Sequence, residues 1–118
     1  MSIWTYVDAT FKGEFDVERA REVVGYEINW EDDLDEWDRK CSDRREHPER
    51  YLPMGSEGTL RAVIEHDRIT VHGALRGFSN HHEIWEWFDR VCMRLRTERA
   101  KCKCVVDCMS VHTWRFKS

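Results

Sequence analysis

The chain predicts an α+β fold, a two-layer sandwich in which an antiparallel sheet of about five strands carries helices mainly on one face. Three observations predict it. Five segments alternate apolar and polar residues with a period of two, three segments repeat with helical spacing, and the segments follow the order β-α-α-β-β-α-β-β. Without the second helix and the last strand, the order is β-α-β-β-α-β, the ferredoxin-like split unit. The length of 118 residues suits a single domain covering 1–118.

Ile3 to Lys12 reads as the first strand. Ile3, Thr5, Val7, Ala9 and Phe11 share one side, while Trp4 and Tyr6 share the other. Asp16 to Val24 reads as a short helix, with Asp16 as N-cap, an apolar stripe of Val17, Ala20, Val23 and Val24, and Gly25 just past its end. The second helix is expected from a cap at Asn29, with Trp30, Leu34, Trp37 and Cys41 on one face. His47 to Gly58 carries both prolines and two glycines and reads as a loop.

Thr59 to His66 and Ile69 to Arg76 alternate as a hairpin around Asp67-Arg68. The third helix begins near Ser79 or Asn80, with Ile84, Phe88, Val91, Cys92 and Leu95 as its core stripe and Trp85 and Trp87 at the edges. Lys101 to Cys108 and Val111 to Lys117 close the chain as two strands.

No apolar run approaches the roughly 20 residues that span a bilayer. The start of the chain lacks a basic and then apolar leader pattern, so no signal peptide is expected. Five cysteines, an odd number, fit reduced thiols in a cytoplasm.

The formal net charge of −4 is unevenly placed. Glu14 to Arg50 carries 14 acids and 7 bases, whereas Tyr51 to Ser118 carries 8 acids and 11 bases. The molecule is therefore expected to be electrically two-sided. The extreme stretch is Glu31 to Asp38, where six of eight residues are acids. Like charges at i, i+4 cost stability, so an offset is expected: a basic partner, or the chain's own basic C-terminal half. Such a surface can mimic a phosphate backbone. Glu31, Asp32, Asp35, Glu36 and Asp38 are the candidate partner-binding residues. A convex helix face presents carboxylates to water and suits a Mg²⁺ site poorly.

Signatures of catalysis are missing. There is no nucleophile elbow, Walker loop or dinucleotide fingerprint. Gly55-Ser56-Glu57-Gly58 precedes a strand, whereas phosphate loops precede a helix. Cys102, Cys104 and Cys108 alternate with Lys101, Lys103 and Asp107, as inward-facing small apolar residues would, and their spacing is unlike zinc motifs. His81-His82 opens the third helix, where adjacent side chains point about 100° apart and share no metal face. The chain is therefore not expected to be an enzyme or to hold a metal or cofactor, and a small metal-dependent nuclease is the least supported reading.

The sheet offers an alternative site. Trp4 and Tyr6, with Trp114 and Phe116 of the last strand, alternate out of phase with the aliphatic core. They could form a stacking surface opposite the helices. Arg61, His72, Arg76 and Arg115 would then supply phosphate contacts for a nucleotide-type signal that the protein sequesters.

The segment His47-Pro48-Glu49-Arg50-Tyr51-Leu52-Pro53-Met54-Gly55-Ser56-Glu57-Gly58, then Leu75-Arg76-Gly77-Phe78, then Trp87-Phe88, resembles small single-domain proteins encoded by bacteriophages. The likeness covers the C-terminal two-thirds and is most specific at Pro-Met-Gly-Ser-Glu-Gly. It brings no catalytic residues. It implies a protein acting in the cytoplasm of an infected bacterium, similar to anti-defence inhibitors such as anti-CRISPR proteins. The combined expectation is a non-enzymatic inhibitor or adaptor whose acidic surface binds a basic host protein that handles nucleic acid or serves in defence. A homodimer is compatible with the exposed aromatics. Contact with a membrane is not expected, nor is direct contact with nucleic acid.

Overall fold

The computed structural model describes residues 3–29 and 31–118. Trp30, assigned from the sequence to the second helix's stripe, lies outside the described residues. The fold is α+β, with three helices and one five-stranded antiparallel sheet. The elements are β1 (Trp4–Lys12), α1 (Val17–Val24), α2 (Leu34–Glu46), a 3₁₀ turn (Pro48–Arg50), β2 (Leu60–Ile64), β3 (Arg68–Arg76), α3 (His81–Arg94), β4 (Arg99–Val106) and β5 (Ser110–Lys117). The strand order is β2-β3-β1-β4-β5. β1 and β2 both pair antiparallel with β3, so they run parallel with β3 between them. That is the split β-α-β unit, and β5 extends it beyond β4. Among the described residues no helix is long and apolar enough to cross a membrane.

The alternation decides which face is covered. Thr5, Val7, Ala9 and Phe11 of β1 are buried, as are Ile69, Val71 and Leu75 of β3 and Cys102 and Cys104 of β4. They meet Ala20, Val23 and Val24 of α1 and Ile84, Trp87, Phe88 and Val91 of α3 in one cluster. Trp87, placed by the sequence at the stripe's edge, is central and only 1% exposed. Phe11 meets its ring edge-on at 5.8 Å, and its indole N–H donates to the Val24 carbonyl at 2.8 Å. That bond ties α3 to the last turn of α1 and satisfies a helix-end carbonyl in the core.

Local signals set both ends of α1. Asp16 accepts from the Arg19 amide, and Gly25 ends the helix at φ 114. An added Cβ at Gly25 would sit 2.6 Å from the Leu52 nitrogen, so only glycine lets the chain pass that close.

α2 departs from the expectation. It starts at Leu34, with Asp33 as N-cap accepting from the Glu36 amide at 2.8 Å. Asn29 and Asp32 instead close the preceding turn: the Asp32 amide donates to the Asn29 carbonyl, and the Asn29 amide to the Asp32 carboxylate. Consecutive acids offered several caps, and the one nearest the helix was used. Leu34 is 80% exposed and no residue of α2 is fully buried, so Leu34 does not anchor it, whereas Trp37 and Cys41 of the expected stripe are half-buried. Polar contacts anchor the helix. Lys40 Nζ donates to the Glu27 carbonyl at 3.3 Å, and Asp43 accepts from the Tyr51 hydroxyl at 2.6 Å and from Arg50 at 3.1 Å. Burial, reinforced by the bond to Asp43, pushes the Tyr51 hydroxyl up to about 12. At the end of α2, Arg44 shares a cleft of about 160 Å³ with Glu83, Glu86 and Arg90 of α3. α2 thus lies beside the helix layer, away from the uncovered sheet face.

The last strand brings a second correction. Trp114 stands opposite Cys102 and Phe116 opposite Ala100. Both aromatics therefore point to the covered face and pack against the core. Side chains alternate strictly, so the partner strand's register decides the face, and a shift of one residue would reverse it. Cys108 lies beyond β4, exposed in the turn at φ 57, and does not share the strand face of Cys102 and Cys104.

Candidate functional site

The uncovered sheet face is the candidate site, and cross-strand register builds it in rows. At one end Arg68, Lys12, Arg99 and Lys117 stand side by side across β3, β1, β4 and β5. The next row is Thr70, Thr10, Lys101 and Arg115. The middle row is Arg61, His72, Asp8, Lys103 and Thr113. Then come Ala74, Tyr6, Val105 and Val111, and finally Arg76 beside Trp4.

Eight of these side chains are lysine or arginine with no ion pair among the described residues: Lys12, Arg61, Arg68, Arg99, Lys101, Lys103, Arg115 and Lys117. Within the strands Asp8 is the one carboxylate on this face, and Glu65, just past β2, borders Arg68. Like charges directly opposite one another destabilise a sheet. The face is therefore held at a cost that an anionic ligand would relieve. Tyr6 is 48% exposed near the middle of β1. Tyr6, Asp8, His72, Ala74, Lys103 and Val105 line a shallow depression of about 570 Å³.

Of the alternative ligand residues, Trp4, Tyr6, Arg61, His72, Arg76 and Arg115 lie on this face, and Trp114 does not. Arg76 is engaged by Glu57 at 2.6 Å. The sequence reading missed Lys12, Arg68, Arg99, Lys101, Lys103 and Lys117. Their alternation within each strand was visible, but the pairing that lines up the strands was not.

The acidic candidates divide. Lys40 contacts Asp32 at 3.0 Å and Glu36 at 3.7 Å, and Arg39 contacts Glu36 at 3.7 Å. The hydrogen bond from Lys40 holds the Asp32 carboxyl below its ordinary range. The neutralising cations belong to α2 itself and not to the C-terminal half. Glu31, Asp35 and Asp38 are exposed and make no ion pair among the described residues.

Three of the five thiols, Cys92, Cys102 and Cys104, sit in the core. Burial pushes Cys92 and Cys102 up to about 12 and Cys104 to about 11, which leaves them protonated and poorly reactive. Among the described residues no group of three His, Cys, Asp or Glu side chains is placed to hold a metal.

Three imidazoles gather on the covered side of β5. His112 stacks on His81 at 3.8 Å with rings 8° apart, and His82 lies 4.3 Å from His81. Burial, then His112 and His82, lower His81 below the ordinary imidazole value of 6.5. A proton therefore binds the unfolded chain more readily than the folded one. The stability this group supports is complete above that value and is lost as pH falls below it. Urea denaturation is expected to show a lower midpoint at mildly acidic pH than at neutral pH, and His112→Gln should flatten the decline.

No protein-family model matches this chain, and no curated protein or solved structure matches it.

Proposed function

We propose that this chain is a binding protein that takes a single strand of nucleic acid across its open sheet face. The observation that carries the reading is the eight lysines and arginines on that face with no ion pair among the described residues, against one carboxylate within its strands. A row of cations tracks a phosphate backbone without reading sequence. A half-exposed tyrosine gives a base a ring on which to stack. The tyrosine lies on β1, and the cations are spread around it over all five strands. β1 itself, at nine residues, is long enough for several nucleotides. No bond-making chemistry is required. The reading departs from the sequence-based expectation of no direct nucleic-acid contact, because the cations only form a surface once the strands are paired.

A different observation favours a second reading. Glu31, Asp35 and Asp38 are exposed on the helix side, so they could engage a basic host protein in an inhibitor or adaptor of the phage anti-defence kind. The two readings separate by mutation. Binding of a fluorescent single-stranded oligonucleotide is expected, and Tyr6→Ala should weaken it about 5- to 150-fold, the range for loss of one base-stacking contact. Asp35→Lys with Asp38→Lys should leave it unchanged or slightly stronger. A wild-type protein that binds no oligonucleotide at low salt overturns the first reading.

A further inference from the structure

Resting on the single-strand reading, we infer that the Lys12–Lys117 end of the sheet face is a site for clustered terminal phosphates, so that the strand is gripped by a triphosphorylated 5′ end. The first argument is charge density. Arg68, Lys12, Arg99 and Lys117 occupy one cross-strand row, and Lys101 and Arg115 stand in the next. Adjacent rows on one face are two residues apart, about 7 Å along the strand. The interior of a nucleic-acid strand brings one charge per nucleotide, too few for six cations in so short a span. A terminal triphosphate brings several charges in one compact group.

The second argument is shape. A cavity of about 510 Å³ opens at this end, lined by Lys12, Arg99, Lys101, Arg115 and Lys117 together with Thr10, Ala100 and Phe116, and no carboxylate lines it. Two of its cations are arginines, whose planar forks grip phosphate oxygens in pairs. Thr10 adds a hydroxyl beside Lys101.

The third argument is polarity along the face. Two rows beyond Thr10, the row of Ala74, Tyr6, Val105 and Val111 contains no cation. Phosphates are favoured at one end and bases at the other, so the face imposes a direction on the strand.

The test compares one RNA sequence, labelled at its 3′ end, with a 5′-hydroxyl, a 5′-monophosphate or a 5′-triphosphate, at one salt concentration. Fluorescence anisotropy should rank the triphosphate tightest, by about tenfold or more over the hydroxyl, as expected for added charge-assisted hydrogen bonds. Lys101→Ala with Arg115→Ala should erase the difference between ends, as should the single edge-strand change Lys117→Ala in part. Both variants remove like-charge neighbours, so their melting temperatures should hold or rise at low salt. Inorganic tripolyphosphate should displace the triphosphorylated RNA. Equal affinity for all three ends overturns this inference and leaves the single-strand reading standing. Adenosine triphosphate binding as tightly as the triphosphorylated strand also overturns it, in favour of a nucleotide site. Failure of every strand to bind removes both.

Discussion

Trp87→Ala is expected to cost about 3–5 kcal/mol of folding stability, the range for truncating a buried aromatic. The side chain is 1% exposed, packs edge-on against Phe11, and anchors the Val24 carbonyl through its indole N–H. Truncation leaves both a cavity and a buried acceptor without its donor. Domains of this size hold only about 5–15 kcal/mol in total, so the variant should be close to unfolding at room temperature. With urea slopes of about 1–3 kcal/mol per molar, its midpoint should fall by about 2 M. Trp87→Phe keeps a ring but orphans the carbonyl and should cost about 1–3 kcal/mol. Leu34→Ser, at the position the sequence assigns to a buried stripe, should stay within about 0.5 kcal/mol of wild type because the side chain is already exposed. A Trp87→Ala protein within about 1 kcal/mol of wild type would mean that α3 does not seat on the sheet through this residue.

The salt dependence of strand binding should be the other large effect. If the six cations of the two end rows each neutralise a phosphate, the logarithm of affinity should fall against the logarithm of salt with a slope of about −4, using the single-strand coefficient of roughly −0.7 per contact. Raising salt from about 50 to about 200 mM should then weaken binding by about 300-fold. Each of Lys101→Ala and Arg115→Ala should reduce the slope by about 0.7. Reversal of Asp35 and Asp38 should not reduce it. Equilibrium anisotropy titrations at four or more salt concentrations measure the slope directly. A loss below about tenfold would mean that apolar contacts, not the cationic rows, hold the strand.

The parts of the fold legible in the sequence are those that local physics decides. Asp16 and Gly25 mark α1 because a cap and a left-handed exit are properties of a few neighbouring residues. The buried faces of β1, β2 and β3 follow from alternation, which needs no knowledge of partners. The start of α2 is not legible from the residues alone, since Asn29 and Asp33 are both competent caps and their competition is settled by what the turn before the helix can close. Its acidity was plain, but the sharing of Lys40 between Asp32 and Glu36 depends on how the turn folds back.

β5 shows the other limit. Trp114 and Phe116 alternate as clearly as Trp4 and Tyr6, yet they face the opposite side, because they pair with Cys102 and Ala100. The same pairing creates the candidate site: Lys12, Arg99 and Lys117 are 87 and 18 residues apart along the chain and become neighbours only through strand register. Alone, the sequence determined that five strands and three helices form, which side of each early strand is apolar, and that charge is unequally divided. Only the tertiary structure decided where the positive charge gathers, since period and propensity act over a few residues whereas register couples positions distant in the chain.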